Sequence, residues 1–168
     1  YHRILLKEEH IRWKHKIKFG ILNDLRLDRW KQLLDFLKKA IKDKTKADYL
    51  PVALRKAGSR MFLYASGPVF SMKFDLCSNL DDKDLNWIVY FNVEYLLKTI
   101  DFLKATDPAE MEISIGDYNP ISQCPMINFE TEDLRLQGTS LNYIASTDPD
   151  TVRLRSYIES ELAREKQP

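Results

Sequence analysis

The chain has 168 residues, 44% hydrophobic and 30% charged, with a formal net charge of +1. That mix suits one globular domain able to bury a single core. Cys77 and Cys124 lie far apart with no paired spacing, which argues against a disulfide framework or a zinc knuckle and fits a reducing, cytoplasmic compartment. No apolar run approaches the roughly 18–20 residues that span a bilayer, so no membrane role is expected. No signal-peptide pattern is read in the first residues. A start at Tyr1 rather than Met fits a processed or excised piece of a longer chain.

Charge is distributed unevenly. Residues 1–60 hold 17 Lys and Arg against 7 Asp and Glu, whereas residues 61–168 hold 9 against 18. Two readings follow. The basic half can face an anionic partner such as nucleic acid, or the two halves neutralise each other, within one chain or across subunits.

Residues 1–15 are charged with scattered apolar positions and read as an N-terminal extension. Ile17, Phe19 and Ile21 then alternate with Lys16, Lys18 and Gly20, the period of a half-buried strand. Asp28 is placed to cap a helix over about 29–43, whose apolar stripe is Trp30, Leu33, Leu34, Leu37 and Ile41. The opposite face carries Lys31, Asp35, Lys38 and Lys42, with Lys39 on its flank. Lys44 and Lys46 follow at the helix end, where cations suit the dipole.

Strands are expected at 49–54, 60–65 and 69–76, separated by Gly58–Ser59 and Ser66–Gly67–Pro68, which makes an antiparallel meander. A polar connection over 80–86 leads to a fourth strand at 87–91. Asn92 caps a second helix with Val93, Leu96, Leu97, Ile100 and Leu103 as its stripe, ended by Asp107–Pro108. Strands are expected again at 111–115, 121–129, 134–138 and 140–146, with Pro125 pushing the second of these toward a sheet edge. Asp148–Pro149–Asp150 starts a C-terminal amphipathic segment containing Val152, Leu154, Tyr157, Ile158 and Leu162. Strand, helix and meander therefore occur twice, over about 17–76 and 87–146, in an α+β chain.

No catalytic motif stands out. His2, His10 and His15 lack the spacing that puts two ligands on one helical face. Asp81, Asp82 and Asp84 lack the Gly and terminal Glu of a calcium loop. There is no G-x-S-x-G, P-loop or C-x-x-C. The reading is a non-enzyme with no cofactor and no metal.

One stretch carries a resemblance. Phe91, Asn92, Tyr95, Leu96 and Leu97, followed by Leu103–Lys104, match the F-N-x-x-Y-L-L pattern opening the second unit of a domain of the bacterial β-type DNA sliding clamp. Met111–Ile115 and Asn119–Pro120–Ile121 resemble the strand and turn after it. Element order extends the resemblance over about 17–146, residue type only over about 88–122. It implies a domain of two βαβββ units, with two helices packed on antiparallel sheet, spanning 16–147 and followed by a tail over 148–168.

In that family the helices line a basic central hole that tracks phosphates without reading bases, and the sheets form the outside. The resemblance therefore implies contact with double-stranded DNA through Lys31, Lys38, Lys39, Lys42, Lys46 and Lys98. A wider basic set adds Lys14, Lys16, Lys18 and Lys44. Two features depart from the family. The second helix sets Glu94 and Asp101 beside Lys98 and Lys104, which nearly cancels its charge. The chain also holds one domain where the family closes a ring from six, three per chain, so a homo-oligomer is expected. The family's Met-Pro-Met ending is missing from the last strand, and no peptide-pocket residues are carried over. The rival reading is a protein-interaction module that uses the clamp fold without encircling DNA.

Overall fold

The computed structural model describes residues 13–19, 27–41, 43, 49–68, 70–77, 80, 84, 86–105, 111–118, 125–139 and 147–167. Strand β1 (Trp13–Phe19) precedes helix α1 (Leu27–Ala40). A meander follows: β2 (Pro51–Ala57), β3 (Arg60–Ser66) and β4 (Ser71–Cys77). Then β5 (Trp87–Asn92) runs into helix α2 (Val93–Ala105), and β6 (Met111–Tyr118), β7 (Pro125–Glu130) and β8 (Arg135–Thr139) form the second meander. Helix α3 (Pro149–Glu165) comes last. The strand expected at 140–146 lies outside the described residues.

The strands form two four-stranded antiparallel sheets, in the orders β1-β6-β7-β8 and β4-β3-β2-β5. The first strand of each half thus joins the other half's sheet. β1 pairs with β6, Ile17 opposite Ile113. β5 pairs with β2, Phe91 opposite Val52. The exchange gives the two halves the same order of strand pairing. β7 lies between β6 and β8, not at an edge. Pro125 is tolerated because it is the strand's first residue, opposite Tyr118 beyond an irregularity in the β6–β7 ladder.

The main core sits between the two helices and the inner faces of both sheets. Trp30, Leu34 and Leu37 enter it from α1, and Val93, Leu96, Ile100 and Leu103 from α2. Val52, Leu54, Leu63 and Phe91 meet them from one sheet, and Ile113, Ile127 and Phe129 from the other. The stripes read from helical spacing are the faces that are buried, as expected when packing rather than propensity stabilises a helix.

Local signals set several boundaries. Gly58 has φ 63°, the left-handed conformation that the tight β2–β3 hairpin requires. Asn92 caps α2, its Oδ1 accepting from the Tyr95 backbone N–H at 2.7 Å. Phe91 stacks on Tyr95 across that cap, centroids 5.3 Å apart. The F-N-x-x-Y signature is therefore a folding device at a strand-to-helix junction. Asp28 is not the cap of α1: the helix begins at Leu27, so Asp28 lies in the first turn. Its charge still favours the helix N-terminus there.

Helix α3 explains a burial pattern that the sequence left open. β3 is buried at every position from Met61 to Ser66, on both faces of the sheet. The helices cover one face. On the other, Leu154 and Ile158 of α3 pack on Ala53, Phe62, Tyr64 and Tyr90. Asp148 caps α3 by accepting from the Thr151 N–H at 3.0 Å, with Pro149 in the first turn. The far end is held by Glu165, whose two carboxylate oxygens each accept from Arg55 at 2.9 Å, while Lys73 donates to Oε1 at 2.9 Å.

Two outcomes follow. A β-carbon on Gly138 would meet the Tyr95 ring, with Cζ at 3.0 Å and Cε2 at 3.1 Å and the hydroxyl closer still. Gly138→Ala should cost about 1–3 kcal/mol in urea unfolding, and Tyr95→Phe in the same chain should restore part of it. The Arg55 hydrogen bond, seconded by Lys73, holds the Glu165 pKa down from 4.5 to about 2. A depressed carboxylate stabilises the docked helix above its free pKa and loses that contribution as pH falls through the folded value. Release of the α3 C-terminus, followed by amide NMR, is therefore expected between about pH 4.5 and pH 2 and not at pH 6.

Candidate nucleic-acid interface

The two helices form one layer over the sheets, and cross-helix ion pairs fix their direction. Lys31 near the start of α1 donates to Asp101 Oδ1 near the end of α2, at 2.9 Å. Lys104, in the last turn of α2, pairs with Asp28 in the first turn of α1. The helices are therefore antiparallel. Each pair joins an acid to a cation from the other half of the chain.

These pairs decide where the expected cations stand. Lys31 is engaged with Asp101, whose hydrogen bond, with their charge attraction, raises its pKa. Lys98 pairs with Glu94 one turn back at 3.1 Å and remains 69% exposed. Lys39 is exposed and Lys38 half-buried. Lys42 and Lys46 lie outside the described residues, and so does Lys44. Lys14, Lys16 and Lys18 lie on β1, at the end of its sheet among the described strands. The layer thus brings together Lys31, Lys38, Lys39 and Lys98. Over α1 and α2 there are six cationic side chains against four acidic ones. The layer is only mildly basic.

Two features went unread in the sequence. Phe36 on α1 is 58% exposed and Phe102 on α2 is 55% exposed. Both fall off the apolar stripe of their helix, and that spacing was the available signal. Phe36 contacts Phe70 at 6.1 Å between centroids, and Arg29 of the same helix lies 5.4 Å over the Phe74 ring of β4. The second is the pairing of Lys104 with Asp28 across 76 residues, for which sequence offers no signal.

Among the described residues, no three His, Cys, Asp or Glu side chains group to hold a metal ion. No helix among them is long and apolar enough to cross a membrane.

No protein-family model matches the chain. No curated protein matches it either. Among solved structures, it is similar to the beta chain of DNA polymerase III from Streptococcus pneumoniae TIGR4, with a TM-score of 0.52 and 16% identity over 77% of this chain. It is also similar to the beta subunit from DNA polymerase of Streptococcus pyogenes, with a TM-score of 0.51 and 14% identity over 82% of this chain. The fold is clamp-like. At this identity the likeness concerns fold alone. The chain spans about a third of the length of those structures, 31% and 33% respectively.

The cross-helix pairs are exposed, so each should be weak. A double-mutant cycle on Lys31→Ala and Asp101→Ala should give only a small coupling in thermal unfolding, fading at about 1 M salt.

Proposed function

We propose that this chain is a non-catalytic, clamp-type subunit that self-associates and turns its helix layer toward the DNA backbone. The observation that carries the reading is the antiparallel helix pair, laid as one face across two strand-exchanged sheets. Lys31, Lys38, Lys39 and Lys98 of that face are the contacting residues, joined by Lys42 and Lys46 from the sequence reading. Exposed ion pairs such as Lys98–Glu94 contribute little, so a phosphate can replace the carboxylate partner.

The weak net charge of the layer shapes the mechanism. Neutralising about six phosphates gives a salt slope no steeper than about −5 in log K against log salt. Contact of that kind weakens steeply as salt rises. Retention would come from closure of a ring around the duplex, with the lysines facing its phosphates. β4 and β8 each end a sheet among the described strands and so offer edges to a neighbouring copy.

A second reading has its own support. Phe36 and Phe102 expose aromatic surface on the layer that would face DNA. A protein partner covering that layer would bury both rings, which suits a docking module better than a phosphate track.

Light scattering on the chain and retention on circular against linear DNA separate the two. A closed assembly of about six copies that stays on circular DNA and runs off linear DNA supports the clamp. In it, Lys39→Glu with Lys98→Glu should weaken loading several-fold without changing the thermal midpoint by more than a few degrees. A monomer with no DNA affinity at low salt rules the clamp reading out.

A further inference from the structure

We propose that α3 is a displaceable cover, and that the face of the sheet beneath it is a docking surface for an amphipathic helix carrying a carboxylate near its C-terminal end. This stands apart from the DNA reading, because α3 lies on the sheet face opposite the helix layer.

The surface is built independently of its cover. Phe62, Tyr64 and Tyr90 point outward from β3 and β5, while their strand neighbours Leu63, Val89 and Phe91 point into the main core. The main core contains no residue of α3. The strands are therefore held in place by the other face, and the aromatic surface persists when α3 leaves. The cationic margin persists too. Arg55 donates to the Tyr64 hydroxyl at 2.9 Å, which orients its guanidinium from within the sheet. Lys73 lies 4.5 Å over the Phe62 ring and Arg55 lies 5.9 Å over it. Arg55 and Lys73 thus form a prepared fork for one carboxylate beside an aromatic strip.

The cover is attached lightly. Of the 17 residues of α3 only Thr151, Leu154 and Ile158 are buried. Tyr157 and Leu162 add half-buried contacts. The far end depends on Glu165, still 37% exposed, in the fork of Arg55 and Lys73. A carboxylate in the last turn opposes the helix dipole. Its place there is explained by the fork and not by the helix. The surface therefore reads two features: apolar residues at helical spacing, and an acid about a turn or two beyond them. Any helix with both competes with α3 by mass action.

The experiment uses the full chain. Amide hydrogen exchange is measured on the unaltered protein, on Glu165→Gln and on Leu162→Asp, a second variant at the margin of the contact. The probe is a fluorescein-labelled synthetic peptide copying residues 148–167, with a counterpart carrying Gln at the position of Glu165. The α3 amides should exchange at least about tenfold faster than those of β2 and β3. Both variants should speed α3 further and leave β2 and β3 unchanged. The labelled peptide should bind each variant at least about fivefold more tightly than the unaltered chain, whose own helix competes, and the Gln peptide should bind more weakly. Exchange of α3 in step with β2 and β3 in all three proteins would overturn the displaceable cover. A peptide that binds no chain more tightly after α3 is loosened would overturn the docking surface.

Discussion

The structure depends on one exchange: each half of the chain lends its first strand to the other half's sheet. β1 completes the sheet of β6, β7 and β8, and β5 completes that of β2, β3 and β4. Neither four-stranded sheet is whole without a strand from the far half, so the two units share both sheets. The exchange also brings α1 and α2 side by side, because each helix follows the strand that crosses over. From that placement come the cross-helix pairs of Lys31 with Asp101 and Lys104 with Asp28.

The packing also answers part of the charge asymmetry. A basic first half and an acidic second half invite the idea of a basic surface looking for an anion. Among the described residues, part of that charge meets inside one chain. Lys31 meets Asp101, and Arg55 meets Glu165 across 110 residues. A helix layer left with a small positive balance can touch phosphate but cannot hold it strongly. Any clamp built from this chain would rely on closure more than on attraction.

Helix α3 gives the sheet of β2–β5 a second interior. A sheet with one solvated face shows alternation along its strands, whereas β3 reads Met61–Phe62–Leu63–Tyr64–Ala65 without a break. Such a run is the mark of a strand covered on both sides. The covering helix is attached through a few apolar side chains and one carboxylate, and none of its residues belongs to the main core.

Much of the architecture was legible in the sequence because it is written in local periodicity. The helical stripes of Trp30, Leu34 and Leu37 and of Leu96, Ile100 and Leu103, the caps at Asn92 and Asp148, and the turn at Gly58 are set by neighbours a few residues apart. The off-stripe positions of Phe36 and Phe102 were equally readable. What tertiary structure alone decided was who meets whom across the chain. Nothing near Lys31 specifies Asp101, and nothing near Glu165 specifies Arg55 and Lys73. Burial of two sheets against two helices brings those groups together, and a strand's periodicity records that it has a buried face without recording which strand will lie beside it. For that reason the sequence by itself determined the elements and their faces, while the cross-helix pairing of charges and the clasp on α3 were decided only by the packing.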